Sequence, residues 1–340
     1  MAGEFALIER LLGQRLGPSP VALPTSSSVT PAADGLLLGP GDDCALIAPP
    51  AIGDAWAIST DMLIEGTHFL GADNPEDLGW KTLAVNLSDL AAMGAQPRYA
   101  TLAMALSSDD NSQGWIDRFF SGFQQCAAQF GVTLIGGDTT RGTRSFCVTV
   151  FGTVSPSRAL RRSGAQADDD IWISGHPGLA ALGLQHKLGN ITLPDALVAS
   201  CDQALHHPQP RVALGMALAG LAHSCLDVSD GLLQDLRHIT QASDLTAELK
   251  QSALPGAPQN VQETLWQACL LGGGDDYELL FSAPASARQT LHTLSQQLDL
   301  PLHRIGNMQK GDNQGTIHLI NDQGQSIDLT HMRSGFDHFA

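Results

Sequence analysis

The stretch NPEDLGWKTLAVNLSDLAAMGA, residues 74–95, indicates the fold class of this chain. It opens with an Asn-Pro helix start signal and stops at Gly94. Leu83, Leu87 and Leu90 recur within it at the spacing of one helical face. The stretch therefore predicts an amphipathic helix whose leucine-lined face packs against another layer of the protein.

Strands and helices alternate on both sides of this helix. We predict strands at residues 54–60, 98–107, 132–138 and 145–154, and a second helix at residues 112–131. Alternation of this kind is typical of an α/β architecture with a mixed sheet. The pattern then restarts with a strand at residues 171–175, helices to about residue 225 and a strand-rich tail.

Turn and polar residues accumulate between residues 155 and 168, where we place a domain boundary. A chain of 340 residues is also long enough for two domains, each with its own core. We therefore predict an α/β (α+β) protein of two mixed-sheet domains, residues 1–155 and residues 156–340.

The charge and the cysteines limit the class of protein. The formal net charge of −17 argues against nucleic acid as a partner, because phosphate backbones are bound by clustered Lys and Arg. The six cysteines include no C-x-x-C pair, which favours reduced thiols. The N-terminal residues carry charges where a signal peptide would be apolar, and no apolar run of about 18 residues occurs. We expect a cytoplasmic protein without a membrane segment.

Aspartates recur where short apolar runs stop. We interpret five of these runs as strands that end in aspartate, and in α/β proteins the ends of strands form the ligand site. Converging carboxylates without a cation would repel by about 4 kcal/mol per close pair at an effective dielectric constant of about 20, so a bound metal is expected. The residues are Asp42 and Asp43, Ser59, Thr60 and Asp61, Asp138, Asp227 and Asp230, Asp275 and Asp276, with Asp89 on the helix.

Magnesium is the metal that suits this set best. Oxygen ligands predominate, and His and Cys do not lie beside these aspartates at zinc spacing. The DVSDG segment lacks the remaining ligands of a calcium-binding EF-hand loop. Any single aspartate could instead be an ordinary turn or helix-cap residue. The whole set, however, favours metal binding.

A magnesium site of few carboxylates usually accompanies substrate phosphates. The chain has neither a P-loop nor the glycine-rich loop and H-R-D of protein kinases. Metal ions and backbone amides would therefore have to hold any nucleotide. Arg141 and Arg162 are candidate phosphate contacts, whereas Arg161 is more simply explained by pairing with nearby acids.

Seven motifs, in this order, resemble those of the thiamine-monophosphate kinases, a family within the aminoimidazole ribonucleotide synthetase-like superfamily. They are GDDCA, ISTDMLIEGTHF, AVNLSDLAAMGA, LIGGDTTRG, RSGA, DVSDGL and GGDDYEL. The resemblance implies two α/β domains and a homodimer whose N-terminal domains pair into a β-barrel. Residues 1–155 would then bind ATP and Mg²⁺ and dimerise, and residues 156–340 would complete the substrate cleft.

The activity implied is transfer of the γ-phosphoryl group of ATP to thiamine monophosphate, which yields thiamine diphosphate. Because the acceptor is a phosphate monoester with a second pKa of about 6, it is already largely dianionic at neutral pH and no general base is expected. Several Mg²⁺ ions are implied, and a monovalent cation is a further candidate.

The resemblance also assigns residues to roles. The metal ligands are Asp42, Ser59, Thr60, Asp61, Asp89, Asp138, Asp227 and Asp230. The ATP contacts are Phe119, Gly137, Asp138, Arg162 and Ser229, and the contacts to thiamine monophosphate are His68, Asp275 and Phe336. Two residues depart from the family pattern, since Asp275 replaces a glutamate and Phe336 an aromatic residue with a polar group.

Three other readings stay open at this point. The first is an ATP-dependent synthetase of the same superfamily, the second a two-metal phosphatase, and the third a non-catalytic interaction protein. The Pro/Ser/Thr-rich residues 18–34 could form an active-site flap or be plainly disordered.

Overall fold

The structure is a computed structural model that describes residues 35–39, 44–107, 113–311, 315–329, 331 and 335–336. The chain divides into two compact units. The first consists of Met1–Leu90 and Ala95–Ser157, and the second of Ala91–Gly94 and Arg158–Ala340. Throughout the described residues, no helix is both long enough and apolar enough to cross a membrane.

The N-terminal unit is built on a mixed four-stranded sheet. The elements of this part of the chain are β1 (Leu36–Leu38), β2 (Leu46–Ile47), β3 (Ala55–Ile64), α1 (Pro75–Ala92), β4 (Gln96–Leu106), α2 (Gln113–Phe130), β5 (Thr133–Arg141) and β6 (Ser145–Val154). The strand order is β3-β6-β4-β5, in which only β4 and β5 are parallel. β3 and β5 are therefore the edges of an open sheet.

The two helices of this unit pack with their backbones in close contact. A Cβ atom on Gly79 would lie 1.8 Å from the carbonyl oxygen of Phe119, and one on Gly122 would lie 1.8 Å from that of Glu76. Any larger residue at either position would push α1 and α2 apart. Because the predicted leucine face of α1 is at most 1% exposed, the helix predicted from the opening stretch is confirmed.

The C-terminal unit is built on a larger mixed sheet. Its helices and strands are β7 (Asp170–Ser174), α3 (Leu179–Lys187), α4 (Asp195–His206), α5 (Val212–Leu218), β8 (Ser224–Val228), α6 (Leu232–Ala242), β9 (Leu245–Lys250), α7 (Glu263–Gly272), β10 (Glu278–Ala283), α8 (Arg288–Leu298), β11 (Leu302–Lys310), β12 (Ile317–Ile320) and β13 (Ser326–Ile327). The strand order is β13-β12-β9-β11-β7-β10-β8. All residues of β7 and β10 are buried, so the core of this unit lies around these two strands.

Apolar residues of α6 cover one face of this sheet. Leu232, Leu236 and Ile239 are fully buried in one cluster with Ile171 and Leu280 of the central strands. Since α6 follows β8 after only a short loop, burial of this helix fixes where that loop lies. The loop, residues 229–231, is the second part of DVSDG, one of the motifs singled out in the sequence.

The prediction that the aspartates end strands is wrong at three places. Asp61 lies within β3 and Asp138 within β5, while Asp275 and Asp276 follow helix α7 rather than a strand. β3 and β5 continue through polar residues because one face of an open sheet can remain in contact with water. The apolar run before Asp275 and Asp276 is wrongly predicted as a strand because a short apolar run does not by itself distinguish a strand from a buried helix.

Candidate functional site

Three predicted metal ligands meet in the N-terminal unit. Side chains alternate along β3, so Ser59 and Asp61 share one face of the strand and both contact α1. The hydroxyl Oγ of Ser59 donates to Oδ2 of Asp89 at 2.5 Å. Asn86, one turn before Asp89, accepts the backbone N–H of Asp61 at 2.9 Å and donates to the carbonyl of Thr82 at 3.0 Å. The strand and the helix thus place two carboxyl groups side by side.

The electrostatics of this pair suit a divalent cation. Burial raises the pKa of Asp61 to about 7, and the negative charge of Asp89 and a hydrogen bond with it add to the rise. The ligand atoms are hard oxygens, which Mg²⁺ prefers. A cation beside Asp61 and Asp89 would remove the repulsion between them, so these residues fit a magnesium ion.

Thr60 does not join this group through its side chain. It points to the opposite face of the sheet, where its Oγ1 lies 2.8 Å from Oγ1 of Thr149 on β6. Its side chain therefore cannot act with those of Ser59 and Asp61 on one ion bound at their face.

Gly137 and Asp138 lie on the other edge strand, β5. Pairing across the sheet aligns Asp61 with Val148, Val148 with Leu102, and Leu102 with Gly137. Three strand spacings separate the two edges, which is about 14 Å. Since two ligands of one Mg²⁺ ion lie within about 4 Å of each other, Asp61 and Asp138 of one chain do not share an ion.

Within the part of the chain that the structure describes, no three His, Cys, Asp or Glu side chains lie close enough together to hold a metal ion. The carboxylates of the described residues therefore do not converge into one cluster, contrary to the expectation from the sequence. A magnesium site nevertheless needs only one or two carboxylates, together with water and substrate phosphates. Asp42 and Asp43 lie outside the described residues, as does the segment 18–34.

His68 and Phe119 have different surroundings in the N-terminal unit. Nδ1 of His68 accepts the backbone N–H of Ile64 at 3.0 Å, so the neutral ring carries its proton on Nε2, where it can donate. Phe119 is 1% exposed, and its ring stacks on Phe146 with 4.6 Å between centroids. The structure therefore places Phe119 in the core rather than on a surface open to ligands.

The DVSDG loop of the C-terminal unit is held by one carboxylate. Oδ2 of Asp235 accepts the backbone N–H groups of Ser229, Asp230 and Gly231, each at 3.1 Å. Burial raises the pKa of Asp235 to about 6 although these hydrogen bonds oppose the rise. The sequence reasoning missed this residue, for which the available signal was an aspartate in the first turn of a helix that follows a glycine-containing loop.

The GGDD segment lies directly against this loop. The N–H of Asp275 donates to the carbonyl of Ser229 at 2.7 Å, and that of Tyr277 donates to the carbonyl of Val228 at 2.8 Å. Gly274, Asp275 and Tyr277 all have positive φ, at 68°, 63° and 52°. Positive φ is unfavourable for Asp275 and Tyr277, which are not glycines. This backbone conformation places Asp275 beside Ser229 and Asp230.

The two adjacent aspartates of this segment separate. Oδ1 of Asp276 accepts the N–H of Gly178 at 2.8 Å, and its other carboxylate oxygen, Oδ2, is buried. Burial raises the pKa of Asp276 well above its usual value, and the charges of Glu278, Asp275 and Asp235 add to the rise. Asp276 therefore has a structural role, and only Asp275 lies beside other predicted ligand-binding residues.

Phe336 lies beside Asp230, and Arg162 and Asp230 both act on His238. The N–H of Phe336 donates to the carbonyl of Asp230 at 2.9 Å. Burial and the positive charge of Arg162 lower the pKa of His238, an effect that Asp230 opposes. Ser229, Asp230, Asp275 and Phe336 thus form one neighbourhood, and Asp227 lies at the end of the adjoining strand β8.

The sequence is similar to a known protein family and to known enzymes. Residues 41–154 match the family model described as AIR synthase related protein, N-terminal domain. The chain is 37% identical to the thiamine-monophosphate kinase of Haemophilus influenzae, over 99% of this chain and 98% of the relative.

Solved structures give the same picture. The crystal structure of thiamine-monophosphate kinase from Stenotrophomonas maltophilia is 42% identical, with a TM-score of 0.82 over 96% of this chain and 98% of that one. AaThiL complexed with AMPPCP and TMP has a TM-score of 0.71 over 99% of this chain and 97% of that one. At 24% identity, that second likeness shows the fold alone.

Proposed function

Because the chain belongs to the thiamine-monophosphate kinase family, we propose that it transfers the γ-phosphoryl group of ATP to thiamine monophosphate, yielding thiamine diphosphate and ADP. The observation that carries this proposal is 37% identity to such a kinase over 99% of the chain. The paired carboxyl groups of Asp61 and Asp89 support it, because they are suited to a cation that accompanies phosphate.

The proposed reaction is a direct in-line transfer without a general base. The attacking oxygen belongs to a phosphate monoester that is already largely dianionic at neutral pH. The protein therefore has to hold two anionic groups in line and to exclude water. The proton on Nε2 of His68 is a donor suited to the acceptor phosphate. Asp275 and Phe336 complete the proposed acceptor contacts, with Asp275 fixed by its bond to Ser229.

The residues that would hold Mg²⁺ fall into separate groups. In the N-terminal unit we assign Ser59, Asp61 and Asp89 to one ion and Asp138 to another, since the two edges of the sheet are too far apart for one. In the C-terminal unit we assign Asp227 and Asp230.

The proposed ligand set is completed by Asp42 and by Thr60, which would act through its backbone because its hydroxyl lies on the other face. When bound, Mg²⁺ would neutralise negative charge on the phosphoryl group that is transferred. A monovalent cation is included among the ions to be tested.

The nucleotide contacts that we propose are Gly137, Asp138, Ser229 and Arg162. Arg162 offers a guanidinium suited to phosphate oxygens. Phe119 could contact a nucleotide only if its stack with Phe146 opened, since it is buried as it stands.

We further propose that the protein is a homodimer. Ile58 and Met62 of edge strand β3 are 59% and 49% exposed, on the same face as Thr60. Exposed apolar side chains on an open sheet indicate an interaction surface. Pairing of two such sheets would give the β-barrel that the family resemblance implies. A cytoplasmic location is supported by the six free cysteines.

The function is tested by incubating the protein with ATP and Mg²⁺ and identifying products by chromatography. Thiamine monophosphate, thiamine and formylglycinamidine ribonucleotide serve as parallel acceptors. Thiamine diphosphate formed only from the monophosphate supports the proposal. ADP formed only with the ribonucleotide would favour a synthetase, and phosphate released without ATP would favour a phosphatase.

A further inference from the structure

The side chain of Gln234, in the first turn of α6, links two parts of the C-terminal neighbourhood. Its Nε2 donates to the carboxylate Oδ2 of Asp230 at 3.0 Å and to the carbonyl oxygen of Phe336 at 3.2 Å. An amide nitrogen has two hydrogens, and these two bonds use both. One group thus contacts a proposed metal ligand and a proposed acceptor contact, residues 106 positions apart in the sequence.

The backbone around Phe336 lies directly against this side chain. A Cβ atom on Gly335 would lie 2.4 Å from Oε1 of Gln234 and 2.7 Å from its Cβ. The N–H of Phe336 donates to the carbonyl of Asp230 at 2.9 Å. Two hydrogen bonds and a close glycine contact therefore join this short segment to Asp230 and Gln234.

The chemistry of glutamine suits this position. A lysine here would neutralise Asp230 and compete with a cation, and a glutamate would have no hydrogen to donate to either oxygen. A glutamine amide leaves the negative charge of Asp230 intact while fixing the direction of its carboxylate. Because the same nitrogen bonds the carbonyl of Phe336, movement of Asp230 is transmitted to the Phe336 backbone.

We propose that Gln234 is a positioning residue that couples binding of the acceptor to occupation of the metal site at Asp230. The proposal rests on the proposed function, since it takes Asp230 and Phe336 to serve the metal and the acceptor. Such coupling is reciprocal, so the metal–nucleotide complex increases the affinity for the acceptor by the same factor as the acceptor increases the affinity for that complex. Each hydrogen bond of Gln234 is worth about fivefold in affinity, which sets the expected size of the effect.

The test measures equilibrium binding by calorimetry. Thiamine monophosphate is titrated into the full chain with and without Mg²⁺ and AMPPCP. In the Gln234→Met variant, which keeps the length of the side chain but has no donor, we expect the acceptor to bind about fivefold to tenfold more weakly to the loaded protein. Without Mg²⁺ and AMPPCP, the affinity of the variant for the acceptor should stay within about twofold of that of the unchanged protein, because the proposed coupling acts only when the metal site is occupied.

A matched control is Gln267→Met on α7. Gln267 also donates from Nε2 to a carboxylate one helical turn away, Oε1 of Glu263 at 2.9 Å, but on an exposed face. This variant should leave the binding of both ligands unchanged. A second route to the same effect is Gly335→Ala, whose new methyl group would displace the side chain of Gln234.

The outcomes separate this inference from the proposed function. If the unchanged protein makes thiamine diphosphate and Gln234→Met binds the acceptor normally, the inference is wrong and the function stands. Equal weakening of acceptor and nucleotide in Gln234→Met would also overturn it, because that indicates general damage. If the unchanged protein binds no thiamine monophosphate, the proposed function and the inference fall together.

Discussion

Ser59 donates a hydrogen bond of 2.5 Å to Asp89, which joins the middle of strand β3 to helix α1. This bond holds the Asp89 carboxylate beside Asp61, and two unit charges 4 Å apart repel by about 4 kcal/mol at an effective dielectric constant of about 20. A proton or a cation between the two groups removes that cost. The carboxylates of Asp61 and Asp89 therefore repel each other when both are charged, and a bound cation removes this repulsion.

Replacing Asp61 with asparagine tests this relationship. We expect turnover to fall by about a hundredfold or more, because a metal ligand is lost. In the presence of a chelator the variant should unfold at the same temperature as the unchanged protein or higher, since one of the two repelling carboxyl groups is gone. Mg²⁺ should raise the unfolding temperature of the variant less than it raises that of the unchanged protein, because the other proposed ions remain. A normal Mg²⁺-dependent shift would remove Asp61 from the metal site.

The variant Thr60→Val separates two ways in which residue 60 could contribute. Its hydroxyl faces Thr149 on the other side of the sheet from Ser59 and Asp61, so we expect turnover and Mg²⁺ dependence within about twofold of normal. The measurement is the initial rate over a range of Mg²⁺ concentrations. A strong rise in the Mg²⁺ requirement would show that the hydroxyl itself is a ligand.

The role of Asp235 is tested by comparing alanine with asparagine. Asp235→Ala leaves three N–H groups of the loop without their acceptor, and we expect it to lower the free energy of unfolding by about 3 kcal/mol and to raise the KM for ATP. Asp235→Asn keeps an acceptor oxygen and should restore most of both. The control is Asp169→Ala, a buried acid that accepts from Gln166 and Ser282, for which only stability should fall.

Asp275 and Asp276 should respond in opposite ways. Asp275→Asn, chosen because asparagine tolerates positive φ, should raise the KM for thiamine monophosphate while the unfolding temperature hardly changes. Asp276→Ala removes the acceptor of the Gly178 N–H and should cost about 2 kcal/mol of stability with a normal KM. Urea unfolding measures the stability of both variants, and steady-state kinetics measures their KM for thiamine monophosphate. Similar effects in the two would contradict their separation.

The acid stability of the C-terminal unit should depend on Asp170. Burial raises the pKa of Asp170, but hydrogen bonds and charges from Arg288 and Arg304 outweigh it and hold the pKa below its usual value. A lowered pKa in the folded state means that this stabilisation is complete above the unfolded pKa of about 3.9 and is lost as the pH falls through the folded pKa.

The measurement is urea unfolding of the unchanged protein and of Asp170→Asn at several pH values. The difference in the free energy of unfolding should be constant above about pH 5 and should shrink below about pH 4. A difference that does not change with pH would rule out this ion pair as an acid-sensitive element.

Local spacing was sufficient for some of these elements and misleading for others. The helix at residues 74–95 was predictable because its leucines repeat at helical spacing, and it runs from Pro75 to Ala92. The strand end predicted at Asp61 was wrong because β3 continues to Ile64 with a polar face. Polar and apolar residues alternate along a half-exposed strand. When the strand that pairs with it is unknown, the first polar residues can be mistaken for the end of the strand.

The sequence by itself determined the motifs, the family resemblance and the identity of the acidic residues, since these depend only on residue type and spacing along the chain. The tertiary structure decided which of them act together. It put Asp89 beside Asp61, turned Thr60 away from both, bound Asp276 to Gly178 and joined Gln234 to Phe336. The physical reason is that strand register and helix docking arise from contacts between residues far apart in sequence, and local spacing carries no record of those contacts.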